Sequence, residues 1–327
     1  MNGLYVMDPR KFDDVYGPQE RTAIEAHLII GSPPLGAAEL DPALLADVNV
    51  LVTAWGGPRL TAELLDAAPK LELVLYGAGS IRPIITPQAW ERGVRITSAA
   101  AANAVAVAEF ALAQILFSIK HGWRYLLAAR AAAAPVRHGA ERGANGAVVG
   151  LVGLGATGRS TAALLARHDV EVQAFDPHAT AATAGELGVR LVGIEELFAT
   201  SDVVSLHVPL LVETRGMVGA ALLRSMRRDA TLINTARGGL IREDELVATL
   251  IERPDLFAAL DVTDPEPPVS GSPLFTLPNV VVTPHIAGSL GLECRRQGAM
   301  MAQELARYCA GEPLLHEVTE PAFARTA

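Results

Sequence analysis

The run Val148-Val149-Gly150-Leu151-Val152-Gly153-Leu154-Gly155-Ala156-Thr157-Gly158 has the residue types and spacing to hold a pair of phosphates. Its last three glycines stand as Gly-x-Gly-x-x-Gly directly after a β-branched apolar stretch. Gly153 allows a tight turn, Gly155 lets the backbone approach a pyrophosphate, and Gly158 lets a helix pack closely on the strand. Ser160 to His168 reads as that helix, whose N-terminal N–H groups and partial positive charge suit an anion. Val170-Glu171-Val172-Gln173-Ala174-Phe175 reads as a second strand and ends at Asp176, 18 residues past Gly158. An acid about 20 residues beyond the last glycine can bond a ribose 2′-hydroxyl. Strand, glycine turn, helix, strand and acid in this order predict a dinucleotide site. Asp176 is followed by Pro177 and His178 rather than by an arginine, which favours NAD over its 2′-phosphorylated form, with His178 offsetting part of the repulsion.

Such a turn needs a sheet to carry it. Short apolar runs alternate with helical patterns along the 327 residues, as in a parallel sheet covered on both faces. Strands are predicted at 26–30, 50–53, 73–76 and 94–97, then at 148–152, 170–175, 203–208, 231–234, 257–262 and 280–283. Helices are predicted at 61–67 and 87–92. Asn103 to Ala134 reads as one Ala-rich helix, capped by Asn103 and stopped before Pro135, with an irregular stretch from there to Ala147. Ser289 to Cys309 reads as the last helix and holds both cysteines, too few for a disulfide framework. Two long helices between two strand series imply that the second domain is inserted in the first, with a cleft between them.

Composition sets the outer bounds. Half of the residues are hydrophobic and 19% are charged, enough for two cores and not the balance of a disordered chain. A net charge of −9 excludes a nucleic-acid surface built on a basic face. The N-terminus lacks the basic and apolar regions of a signal peptide, and Glu109, Gln114 and Ser118 interrupt the most apolar stretch. A soluble, cytoplasmic protein with no membrane contact is expected.

Three further segments each follow a predicted strand: Asn234-Thr235-Ala236-Arg237-Gly238-Gly239, Asp261-Val262-Thr263-Asp264-Pro265-Glu266-Pro267, and Thr283-Pro284-His285-Ile286-Ala287-Gly288. With the glycine turn, and in this order, they resemble the D-isomer-specific 2-hydroxyacid dehydrogenases over nearly the whole chain. The resemblance implies an α/β fold of two doubly wound parallel-sheet domains. A Rossmann NAD-binding domain at 100–285 is inserted in a flavodoxin-like substrate-binding domain at 1–99 and 286–327. It implies a catalytic set of Arg237, Glu266 and His285 and a homodimer, with no metal.

The chemistry fits those residue types. Hydride transfer to a 2-keto acid leaves an alkoxide, which the imidazolium of His285 can protonate. The carboxylate of Glu266 stabilises that imidazolium. Arg237 offers a planar fork of donors to a substrate carboxylate, a geometry lysine lacks. By the same resemblance Gly153, Gly155, Ala156, Thr157 and Gly158 meet the pyrophosphate and Asp176 the ribose. Val208, Pro209 and Thr214 border the adenosine and phosphates, Thr235 and Ala236 pass beneath the nicotinamide ribose, Asp261 bonds the carboxamide, and Gly288 joins the cofactor site. Tyr76, Ala78 and Gly79 belong to a loop whose backbone N–H groups bind the substrate carboxylate. His207 falls on the adenosine side rather than in the catalytic set.

Three departures from the family pattern bear on the substrate or cofactor: Ile81-Arg82 where Asp-Asn is common, Thr263 where an aromatic residue is usual, and Ala156-Thr157 for Arg-Ile. Arg82 raises the expectation of a second negative charge on the substrate, against a merely solvated arginine. Phosphite oxidation and an NAD(H)-binding corepressor role are the rival readings of the same residues. A formate dehydrogenase would carry Gln in place of Glu266, and a methyltransferase would leave Arg237, Glu266 and His285 unexplained.

Overall fold

The computed structural model describes residues 1–139 and 143–324. The chain forms two compact units, Met1–Ala104 with Ser289–Ala327, and Val105–Gly288. Residues 140–142, within the stretch expected to be irregular, lie outside the described residues.

The first unit holds β1 (Gly3–Tyr5), β2 (Val50–Thr53), β3 (Leu73–Tyr76) and β4 (Arg95–Ser98), parallel and in that spatial order. β2 and β3 are buried along their whole length, which is why they read as unbroken apolar runs. The strand expected at 26–30 is instead a turn after the helix Pro18–Glu25, reduced to a single bridge from Ile29 to Asn2, with a second bridge from Leu35 to Val6 beyond it. Pro33 and Pro34 lie between those bridges and bring no N–H to a ladder. With this reduced edge counted as the second strand, the order is 2-1-3-4-5, the flavodoxin-like arrangement.

The second unit holds β5 (Ala147–Val152), β6 (Val170–Phe175), β7 (Arg190–Leu191), β8 (Val203–Leu206), β9 (Thr231–Asn234), β10 (Phe257–Leu260) and β11 (Val280–Val282). All pairs are parallel, in the order β11-β10-β9-β8-β5-β6-β7. Counted from β5 this is 3-2-1-4-5-6-7, a doubly wound sheet whose order reverses between β5 and β8. Neighbouring residues on β8 to β10 serve opposite faces. Val203, Ile233 and Ala259 pack with Leu151 and Leu165, while Val204, Leu232 and Leu260 pack with Phe198, Leu246 and Leu250.

The single helix expected from Asn103 to Ala134 is two, Ala100–Ile119 and Gly122–Ala132. The helix is interrupted at His121, whose φ of 54° is left-handed. A Cβ on Gly122 would stand 2.4 to 2.6 Å from atoms of the Phe117 ring, which packs edge-on against Trp123 with 4.9 Å between centroids. Gly122 was the sequence signal for this break. Asn103 lies inside the first helix, and the Ser98 hydroxyl accepts from Ala100 N at its start instead. The last helix is Arg295–Cys309, preceded by a 3₁₀ turn at Gly291–Cys294, so Cys294 ends that turn and only Cys309, which is exposed, lies in the helix.

By length and composition alone Ala100–Ile119 could cross a membrane, contrary to the expectation from its polar interruptions. Of its most apolar stretch 44% is buried, including Ala108, Ala111 and Ile115, which are fully inaccessible, and Ile115 and Ile119 pack on β5 residues.

Candidate active site

Strand register in the second unit draws the predicted segments into one row. Val152, Leu206, Asn234, Leu260 and Val282 lie side by side on successive strands, with Phe175 on the other flank of Val152. The residues that follow them are Gly153, His207, Thr235, Asp261, Thr283 and Asp176. Segments far apart in sequence therefore leave the sheet along one C-terminal edge, where ligands bind in open α/β sheets.

At the switch point Gly153 has φ 100°, and a Cβ there would stand 2.8 Å from Val208 and 3.0 Å from the His207 carbonyl. The helix Ala156–Leu165 begins inside the turn, four residues before the expected Ser160, so the N–H groups of Ala156 and Thr157 belong to its first turn. Gly158 faces the Gly153 carbonyl, only 2.0 Å from where its Cβ would be. Gly155 instead faces open space, with nothing within 4 Å of a Cβ. Leu154 is gripped from both sides. Its N–H donates to Asp176 Oδ2 at 2.7 Å, and its carbonyl accepts from Arg159 Nε at 2.8 Å. His178 N donates to the other oxygen of Asp176 at 2.7 Å, fixing the carboxylate beside the turn. Val208 and Pro209 are partly buried alongside, and the Thr214 hydroxyl closes their loop by donating to Pro209 O at 2.6 Å. An open Gly155 flanked by helix N–H groups and a fixed acid fits a dinucleotide.

The chemistry-bearing side chains sit at the β9, β10 and β11 ends. Glu266 Oε1 and His285 Nδ1 are 2.5 Å apart, both side chains a little under half exposed. Arg237 is partly buried, with Nη1 donating to Ala236 O at 2.6 Å. Buried Asn234 holds its loop, accepting from Ala236 N at 3.0 Å and donating to Arg237 O at 2.9 Å. A Cβ on Gly238 would stand 2.0 Å from the Thr263 carbonyl, so only glycine lets these loops touch. Thr263 is turned inward and donates to Pro265 O at 2.9 Å, bracing the segment that carries Glu266. Asp261 is buried and accepts three hydrogen bonds, from Thr283 Oγ1, Ile286 N and Ala287 N. Thr235 is buried with its hydroxyl unpartnered among the described residues, Ala236 is partly buried, and Gly288 closes the unit.

His207 is buried with neither ring nitrogen hydrogen-bonded among the described residues, and burial pushes its pKa down to about 4. His207 packs against the glycine turn, its carbonyl 3.0 Å from a Cβ position on Gly153 and its own Cβ 3.5 Å from one on Gly158.

In the first unit, Tyr76 ends β3 with its side chain in the core, where burial pushes its phenol up to about 12. The Ser98 hydroxyl donates to the carbonyls of Ala78 and Gly79 at 3.2 and 2.5 Å, which turns the N–H side of that loop away from it. Asn103 Oδ1 accepts from Ser289 N and Gln297 Nε2, and its amide nitrogen stands 3.6 Å from a Cβ position on Gly79. The guanidinium of Arg82 lies 4.6 Å over the Phe323 ring and donates to the Phe323 carbonyl, so it is bound to the C-terminal segment rather than simply solvated. Among the described residues no three His, Cys, Asp or Glu side chains gather as metal ligands. The loop-holding role of Ser98 is missed in the sequence, where Asn103 reads as a helix cap and Asn234 only as the head of its segment, because the partners they hold lie in the tertiary structure.

Comparison with known proteins supplies the class. The family model for the D-isomer specific 2-hydroxyacid dehydrogenase, NAD binding domain, matches residues 115–287. A glyoxylate reductase of Korarchaeum cryptofilum is 33% identical over 277 residues, 81% of each chain. A D-3-phosphoglycerate dehydrogenase of Archaeoglobus fulgidus is 30% identical over 279 residues, 81% of this chain and 50% of that one. The solved D-isomer specific 2-hydroxyacid dehydrogenase from Xanthobacter autotrophicus Py2, in complex with NADPH and MES, superposes with a TM-score of 0.76 at 27% identity. The match covers 99% of this chain and all of that one. This chain belongs to the D-isomer specific 2-hydroxyacid dehydrogenase family. It spans about half the length of the first curated relatives it matches.

Proposed function

We propose that this chain is an NAD-dependent oxidoreductase that interconverts a small 2-keto acid and its D-2-hydroxy acid. The observation that carries this reading is the 2.5 Å Glu266–His285 pair on the same sheet edge as the glycine turn. NAD, when bound, supplies or accepts the hydride. His285 holds the proton that the substrate alkoxide takes up, and returns to the charged form by regaining one from water. Glu266 at Nδ1 fixes the ring, leaving Nε2 for the substrate oxygen. Arg237 receives the substrate carboxylate on its fork of donors, together with the backbone N–H groups of Ala78 and Gly79.

Gly153, Gly155, Ala156, Thr157 and Gly158 hold the pyrophosphate, and Asp176 the ribose. Val208, Pro209, Thr214, Thr235, Ala236 and Gly288 line the remainder of the cofactor site. Residues 100–285 form the NAD-binding domain, and 1–99 with 286–327 the substrate-binding domain. The protein acts in the cytoplasm as a homodimer. Exposed apolar side chains on two helices of the second unit, Phe117 and Leu126, support self-association.

The test is NADH oxidation against glyoxylate, pyruvate, hydroxypyruvate, phenylpyruvate, oxaloacetate and phosphonopyruvate, with His285→Ala as control. Turnover abolished in the variant is expected. No turnover on any member, with NADH still bound, would overturn this reading in favour of phosphite oxidation or a binding role.

A further inference from the structure

His285 has a left-handed backbone conformation, uncommon for any residue that carries a side chain. Its φ is 54°, and a side chain in the left-handed region costs on the order of 1–2 kcal/mol. Such strain persists only where the surroundings over-determine it, and here one residue supplies most of the restraint. The Asp261 carbonyl accepts from His285 N at 2.9 Å. Asp261 Oδ1 accepts from Ile286 N at 2.9 Å and from Thr283 Oγ1 at 2.5 Å, and Oδ2 accepts from Ala287 N at 2.8 Å. The contacts fall on His285 itself and on both sides of it, at 283, 286 and 287. A carboxylate has about four acceptor positions, and three of these are committed to the loop. The side chain is 2% exposed.

We propose that Asp261 is a positioning residue, which clamps Thr283–Ala287 in the strained turn that aims the His285 imidazole at Glu266. The remaining acceptor position is left for the cofactor carboxamide. The proposal rests on the reading of His285 as the proton donor. The physical reason is donor matching: two backbone N–H groups and a hydroxyl converge on one carboxylate, and an amide cannot accept all three. In Asp261→Asn the amide NH₂ would face one of these donors. The turn would open, and a misplacement near 1 Å can lower turnover about a hundredfold.

The test uses the full chain with NADH and the best keto acid of the panel. Asp261→Asn is expected to lower kcat about a hundredfold with the NADH Kd within about threefold, and to move the His285 imidazole signals in the NMR spectrum. Thr283→Val removes one of the three donors and should lower kcat about tenfold, while Thr283→Ser keeps the hydroxyl and should restore it. The NMR readout needs no turnover, so this proposal can fail or stand apart from the assigned activity. Asp261→Asn with a tenfold weaker NADH Kd and unmoved imidazole signals would make Asp261 a cofactor ligand only. Thr283→Val indistinguishable from Thr283→Ser would overturn the clamp even if Asp261→Asn does not fold.

Discussion

Gly155 and Gly158 belong to one turn but face different surroundings, and alanine at each separates packing from ligand approach. At Gly158 a Cβ would stand 2.0 Å from the Gly153 carbonyl, against about 3.4 Å for ordinary contact. About 1.4 Å must open between backbone atoms, and no flexible side chain can absorb it. The helix Ala156–Leu165 would have to move as a body, although Thr161, Ala162 and Leu165 are buried against the sheet. Overpacking of this kind costs about 1–3 kcal/mol, which in a unit of this size lowers Tm by about 5 °C. The helix N–H groups move with it. Losing one or two charge-assisted hydrogen bonds raises the NADH Kd about a hundredfold. At Gly155 the added methyl meets nothing, and φ is an unstrained −68°. Gly155→Ala should therefore keep the wild-type Tm within about 1 °C. Its NADH Kd should still rise at least about tenfold, because the methyl occupies the approach path of the pyrophosphate. Differential scanning fluorimetry and NADH fluorescence titration read both quantities. Gly155→Ala binding NADH as tightly as wild type would refute the close approach. Gly158→Ala with unchanged Tm and Kd would refute the fixed helix position.

Two further outcomes follow from charge. Asp176→Ala removes the fixed carboxylate beside the turn and should raise the NADPH-to-NADH ratio of kcat/KM about tenfold; an unmoved ratio would mean that Asp176 does not face the ribose. His207, held to about 4 by burial, is neutral in the folded chain where the unfolded chain charges it. The unfolded state thus binds the extra proton between pH 6.5 and about 4. Stability from this group is fully present above pH 6.5 and falls by about 3 kcal/mol as the pH reaches 4. The loss of Tm from pH 7 to 4.5 should be smaller in His207→Asn than in wild type, and equal losses would count against a buried neutral imidazole.

The strands Val50–Thr53, Leu73–Tyr76 and Thr231–Asn234 were legible residue for residue in the sequence, because burial on both faces leaves each a short run with a sharp end, and Val170–Phe175, only partly buried, was legible from its apolar–polar alternation. Elements stabilised mainly by their neighbours were not. Gly3–Tyr5 is three residues long and Arg190–Leu191 two, and each exists because an adjacent strand offers a free edge. The apolar content of 26–30 suggested a strand, but the helix before it and the prolines after it leave one bridge. Composition carried Asn103–Ala134 as one helix, and a single left-handed residue at His121 divides it.

Sequence by itself determined the chemistry available to this protein: a glycine turn that tolerates a pyrophosphate, an acid at the next strand end, and an arginine, glutamate and histidine each placed after a strand. These are local facts of residue type and spacing. The tertiary structure decided which groups meet. Parallel register put six strand ends in one row, Glu266 came within 2.5 Å of His285, and Arg82 turned to Phe323. It also gave Asp261 its loop contacts and His285 its left-handed backbone. Those outcomes depend on hydrogen bonds between residues 19 to 241 positions apart, which no local pattern encodes.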